Sequence, residues 1–311
     1  SLLLSRGIDT FEKAKTFFRP QLSMLHDPFL MKDMDKAVNR LVSAIASKER
    51  IRVYGDYDVD GTTSVSLMYR FLKSQNADCD YYIPDRENEG YGISYQGIDD
   101  AIEKGITLMI SLDCGVKAVE KVAYAQAKGL DVIICDHHRP GDVLPNAHAV
   151  LDPKRQDCDY PFKELCGCGV GFKLMQAYLK HQGLDETIAF EYLDLVAVAI
   201  GADIVPIVGE NRVLAFYGLK LLNENPRVGM KALMREHKSF GAMTITDVVF
   251  TIAPRINAAG RIKHAHNAVR LLIEESKSMA VKTANEIEEY NTERRAHDQR
   301  IAKEALAQIK E

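Results

Sequence analysis

Between residues 51 and 151 the chain alternates short strand-like runs with segments of helical period, and this restricts the fold more than any other feature. Strands are expected at Ile51–Gly55, Cys79–Pro84, Thr107–Leu112, Asp131–Cys135 and Ala147–Leu151. Helices are expected at Thr62–Ser74, Ser94–Lys104, Lys117–Ala127 and Val170–His181, where the apolar spacing is helical. Such βα units predict an α/β fold, with a mostly parallel sheet, right-handed crossovers and helices on both faces. The stretch before residue 49 reads as helical and ends in Met34 to Ser47, and from Thr187 onward the reading is again mainly helical.

The strand-like runs end in acids. Asp56, Asp58 and Asp60 alternate in Gly55-Asp56-Tyr57-Asp58-Val59-Asp60-Gly61. Asp113 closes the run Leu108 to Leu112, and Asp136-His137-His138 closes Val132 to Cys135. Asp203 follows the apolar helix Leu195 to Ile200. The carboxyl edge of an open parallel sheet is where ligands bind. Carboxylates this close repel, and some stay protonated unless a cation sits among them. Hard divalent ions take such oxygen ligands, with imidazole able to complete the shell. A calcium loop of the EF-hand type begins with similar spacing. Here no Glu stands at the closing position, and the flanks read strand and helix rather than helix and helix. Blander readings stay open: Asp113 as the cap of a helix starting near Val116, Asp203 as an ordinary helix exit, and Asp136 as a capping residue.

A length of 311 residues suits one large domain or two ordinary ones. No apolar run is long enough to span a bilayer, and Leu2-Leu3-Leu4 is too short for a secretory signal. The six cysteines form no CxxC pair, so they read as reduced thiols of a cytoplasmic protein, with Cys166-Gly167-Cys168 as small residues opening a helix. A net charge of −4 is unusual for a nucleic-acid protein. Two bound divalent ions would offset much of the charge of the clustered acids.

The segments GDYDVDGTTS, SLDCGV, DHH and GADIVP resemble the four ordered motifs of the DHH phosphoesterase superfamily. Ala253-Pro254-Arg255-Ile256-Asn257-Ala258-Ala259-Gly260-Arg261 resembles a signature of its RecJ branch of single-strand-specific exonucleases. The opening stretch from Leu2 to Leu30 and the run Ile83 to Gly92 are also RecJ-like, so the resemblance spans nearly the whole chain.

The resemblance implies a two-metal phosphodiesterase that degrades single-stranded DNA from 5′ to 3′ into 5′-mononucleotides, in DNA repair and recombination. Two divalent ions, Mn²⁺ by preference or Mg²⁺, would be held by Asp56, Asp58, Asp60, Asp113, His137 and Asp203, with Asp113 bridging. Asp113, Asp136 and His138 would serve catalysis, His138 by donating to the reacting phosphate. Arg86, Arg255, Asn257 and Arg261 would hold nucleic-acid phosphates, since guanidinium forks match phosphate oxygens. Tyr91 and Tyr95 are candidates for stacking on bases. Single-stranded DNA is the expected partner, with a single-strand-binding protein or a helicase as further candidates, and no membrane. One departure stands out: many superfamily members carry a His where this chain has Tyr54, whose phenol could still meet a phosphate or a water. The alternatives are another DHH phosphodiesterase, acting on cyclic dinucleotides or short oligonucleotides, and a non-catalytic nucleic-acid-binding scaffold.

The expected organisation is a helical segment at 1–48, a metal-binding α/β catalytic domain at 49–205, a helical part of the core at 206–275 carrying the Pro254–Arg261 signature, and a long helix at 276–311 that links to a second domain. That last segment has no Gly or Pro, and its middle is polar on almost every face. Such a helix is expected to bridge domains across solvent. In the resembled family a second domain with a Gly-Gly-His motif follows. This chain has no such motif, so it reads as a truncated core, with Ser1 as a cloning remnant.

Overall fold

A computed structural model describes residues 3–235, 241–262 and 265–310, except the side chains of 261, 262, 307, 309 and 310. Two helices lead in, α1 (Phe11–Phe18) and α2 (Met34–Ala46). The α/β part runs β1 (Ile51–Gly55), α3 (Val59–Ser74), β2 (Cys79–Tyr82), α4 (Tyr95–Glu103), β3 (Leu108–Leu112), α5 (Val119–Ala127), β4 (Asp131–Cys135) and β5 (Ala149–Leu151). Helices follow: α6 (Gly167–His181), α7 (Leu193–Ala202), α8 (Gly209–Glu224), α9 (Val228–Met234), the single turn α10 (Ile245–Asp247), a π-helical turn (Val248–Ile252), α11 (Ala253–Ile262), α12 (His266–Ile273) and α13 (Lys277–Lys310).

The five strands are all parallel, in the order β2-β1-β3-β4-β5. The chain leaves β1 for β2 on one side and then crosses to β3 on the other. The order therefore reverses between β1 and β3, which opens a crevice at their carboxyl ends. Side chains alternate between the faces, as a strand's period requires. Val53, Ile110, Leu112, Ile133 and Cys135 enter the large core with α2, α3, α6 and α7. Tyr54, Met109, Val132 and Ile134 enter the smaller core that α4 and α5 cover.

The elements differ from expectation mainly at their ends. Helix α3 starts at Val59 rather than Thr62, because the Asp58 carboxylate caps it by accepting from Gly61 N at 2.9 Å. Asp60 thus stands in the first helical turn. Helix α6 starts at Gly167, with the Cys166 side chain as its cap. Strand β2 stops at Tyr82, short of Pro84, which has no amide to give to a ladder.

The long last helix is not polar all round along its first half. Ala280, Thr283, Ala284, Ile287 and Asn291 are buried in it, and Arg255 of α11 pairs with its Glu288; exposure dominates only beyond Asn291. The leading segment is tied down by a buried pair. Lys173 Nζ lies 2.7 Å from Glu210 Oε1 and donates to His26 O, while Glu210 accepts from His26 N and Tyr160 Oη. All six cysteines are buried and free. Among the described residues no helix is long and apolar enough to cross a membrane.

Candidate metal centre

The crevice between β1 and β3 collects most of the acids. Asp56 leaves the end of β1 and is 1% exposed, with Gly92 N donating to Oδ1 at 3.4 Å. Asp113 leaves β3 in the left-handed region at φ 59°, a conformation that Asp tolerates better than most residues. Its amide still donates to Cys135 O at 2.9 Å, so the ladder holds while the chain turns away. His137 leaves β4, and its Nε2 lies 3.1 Å from Asp113 Oδ1, 3.6 Å from Asp203 Oδ2 and 3.8 Å from Asp60 Oδ2. Two sets of ligand atoms lie within 4.8 Å of one another: Asp60, His137 and Asp203, and Asp113, His137 and His138.

The amino end of α6 fixes Asp60. Gly167 N and Cys168 N each donate to one of its carboxylate oxygens at 2.7 Å. Asp136 is used differently. Its Oδ1 accepts from the amides of His137 and His138 and lies 2.7 Å from His138 Nδ1, while Oδ2 accepts from Val116 N. Both oxygens are therefore engaged, and Asp136 orients His138. The other ring nitrogen of His138 meets Tyr91 Oη at 3.3 Å, and Tyr91 Oη donates to Asp113 O at 3.2 Å.

These residues fit a cation. Asp56 Oδ2 is buried without a hydrogen-bond partner among the described residues, and Asp113 Oδ1 and His137 Nε2, though 3.1 Å apart, make no hydrogen bond in good geometry with each other or with another described group. Buried polar atoms left so are costly unless something charged or polar satisfies them. Burial, and then the Asp58 charge, pushes the Asp56 carboxyl up to about 7 and that of Asp203 up to about 6. Burial and neighbouring carboxylates raise Asp60 and Asp113 well above the carboxylate range. Burial, seconded by His138, lowers His137 to about 4, so its ring is neutral at pH 7, as a metal ligand's must be. The hydrogen bond to Asp136 raises His138. Burial would raise Asp136, but His138 and the amides outweigh it and hold that carboxyl low.

The phosphate-binding candidates are dispersed. Arg86 is exposed and stands over the Tyr57 ring at 5.3 Å, at the lip of the crevice. Helix α11 reaches the same lip, since a β-carbon at Gly260 would lie 2.6 Å from Tyr57 O. Asn257 is half-exposed on that helix, and the Arg261 side chain lies outside the described residues. Arg255 is placed otherwise than expected. It is 7% exposed, its Nε is 2.5 Å from Glu288 Oε2, and its Nη1 donates to Thr251 O. It joins α11 to α13 instead of facing the crevice.

Tyr54 is likewise withdrawn. It is fully buried, donates to Gly92 O at 2.9 Å and accepts from Ser94 N, leaving its phenol unavailable to a phosphate. Tyr95 meets Tyr124 edge to face at 5.1 Å. Two features escape a reading of the sequence. Asp152 ends β5 as the other acids end their strands; it is fully buried, and its Oδ2 has no partner among the described residues. Gly167 reads only as a small residue, without the contact that requires it.

Residues 50–200 match the family model described as the DHH family, N-terminal domain. The chain is 42% identical over 312 residues to the single-stranded-DNA-specific exonuclease RecJ of Bacillus subtilis (strain 168), covering 100% of this chain and 39% of that protein. It is 35% identical over 317 residues to the protein of the same name from Escherichia coli (strain K12), covering 98% of this chain and 54% of that protein. The chain thus spans about half the length, or less, of these curated relatives. A crystal structure of exonuclease RecJ bound to manganese superposes with a TM-score of 0.84 at 33% identity, over 93% of this chain and 72% of that one. RecJ in complex with Mn²⁺ from Thermus thermophilus superposes with a TM-score of 0.83 at 30% identity, over 98% of this chain and 43% of that one.

Proposed function

Since the chain belongs to the RecJ branch of the DHH family, we propose that it is the metal-dependent core of a single-strand-specific DNA exonuclease, working 5′ to 3′ and releasing 5′-mononucleotides. The observation that carries this reading is the set of buried ligand atoms on Asp56, Asp113 and His137 that make no hydrogen bond among the described residues, at the crevice where the strand order reverses. Asp56, Asp58, Asp60, Asp113, His137 and Asp203 would hold two divalent ions, Mn²⁺ or Mg²⁺. When bound, such ions polarise a phosphoryl oxygen and make water a competent nucleophile near neutral pH.

The protein's own groups do the rest. The α6 amides hold Asp60 in place and favour its charged form. Asp136 accepts from His138 Nδ1–H and so fixes the ring. Its charge favours the imidazolium, which leaves Nε2–H free to donate to a phosphate oxygen or to the departing 3′-oxygen once Tyr91 yields. Arg86, at the lip, holds a neighbouring phosphate of the strand. A role in repair and recombination, and contact with a single-strand-binding protein or helicase, belong to this proposal through the family.

The test is digestion of a 5′-labelled single strand in Mn²⁺, beside its duplex and a cyclic dinucleotide. Labelled mononucleotide from the single strand alone is expected. Preferred cleavage of the dinucleotide would move the protein to another DHH activity, and metal binding without any hydrolysis would make it a scaffold.

A further inference from the structure

Ile204 follows the metal-ligand candidate Asp203 and adopts φ 59°. It stands just beyond α7, whose cap is Asp203, where helices commonly turn through a left-handed residue that is usually Gly. A β-branched residue in that region is a genuine outlier, costly to hold. Among the described residues no burial of the side chain offsets that cost. Ile204 is 85% exposed, the most exposed large apolar side chain among the described residues, whereas its neighbours Val205 and Ile207 lie against the core. Asp203 Oδ2 is 3.6 Å from His137 Nε2, so Ile204 stands on the rim of the metal centre.

A single strand offers two chemistries, charged phosphates and apolar base faces. The acids with their cations and Arg86 suit the first. We propose that Ile204 serves the second, lying against the base of the nucleotide next to the scissile phosphate. This rests on the exonuclease reading. In a duplex every base face except the outer face of the end pair is stacked within the helix, so the contact favours a single strand, and Ile204 contributes to strand selectivity.

The experiment compares wild type, Ile204→Gly and Ile204→Leu on a labelled single strand in Mn²⁺, with calorimetric Mn²⁺ affinity and Tm for each. Ile204→Gly relieves the backbone, so its Tm should rise by about 2 °C. Its Mn²⁺ affinity should stay within about twofold of wild type. Its kcat/KM should fall about five- to tenfold, the scale of one lost apolar contact, and Ile204→Leu should recover most of that. On a strand abasic at its terminal nucleotides, wild type and Ile204→Gly should cleave alike. Unchanged kcat/KM in Ile204→Gly would overturn the proposal. So would a loss of Mn²⁺ affinity that accounts for the lost activity, since Ile204 would then only shape Asp203. A wild-type protein that cleaves no single strand would instead overturn the exonuclease reading itself.

Discussion

Gly167 has no room for a β-carbon because Asp113 stands against it: an added Cβ would lie 2.6 Å from Asp113 Cβ and 2.7 Å from its Oδ1. The same residue donates its amide to Asp60 at 2.7 Å. One glycine therefore seats two of the carboxylates proposed to share a cation. Gly167→Ala should push Asp113 off its position and cost about 10- to 100-fold in Mn²⁺ affinity, the usual scale for disturbing a ligand's support. Calorimetric titration of the folded variant checks this, with circular dichroism showing that the fold survives.

Metal and protons compete for the same oxygens. In the metal-free protein the Asp56 carboxyl sits at about 7 and that of Asp203 at about 6, against an ordinary value of 3.8. Both are raised in the folded state, so their contribution to stability is full below about 3.9 and is lost as pH rises through their folded values. These groups should make the metal-free protein less stable at pH 8 than at pH 5.5. Mn²⁺ should reverse this, and its increment in Tm should be larger at pH 8 than at pH 6. Asp56→Asn should shrink that difference. Thermal scans at the two pH values, with and without Mn²⁺, test the sign.

Asp136 has both oxygens engaged by His138 and three backbone amides, which suits it to orient the proposed donor rather than to hold a cation. Asp136→Asn should lower kcat about 10- to 100-fold while changing Mn²⁺ affinity by less than about threefold. A matching fall in affinity would place Asp136 among the ligands instead.

The α/β fold is legible in the sequence because a buried parallel strand writes itself as a short apolar run, and helices separate the first four of these runs. Asp113, Asp136 and His137 are legible for the same reason, as the residues at which those runs stop. Asp152 stops a run too, yet it escapes notice because no motif is attached to it. Arg255 shows the limit. A motif reports that an arginine is wanted, but only packing reveals that its fork serves Glu288, a partner in another helix. Tyr54 passes in the sequence for a possible phosphate contact because local sequence does not say which face of β1 is closed by α4. The amino end of α6 is invisible there as part of the centre, since it meets Asp60 across more than one hundred residues of sequence.

The Arg255–Glu288 pair makes a separable prediction. Arg255→Ala takes the guanidinium away from Glu288 Oε2 and one donor away from Thr251 O, and should cost about 2 kcal/mol of stability. Glu288→Ala should lose a similar amount, and the double variant less than the sum. Denaturant titration measures all three. A strand-binding role for Arg255 would show instead as a raised KM with unchanged stability.

The most direct test follows Mn²⁺ binding and strand hydrolysis together in wild type and Asp113→Ala. Wild type should bind two ions per chain, release labelled mononucleotide from a single strand, and lose turnover as the ions are withdrawn. Asp113→Ala should remain folded and lose both tight binding and turnover. An Asp113→Ala protein that binds Mn²⁺ and digests the strand like wild type would show that the buried acids between β1 and β3 are not the catalytic centre.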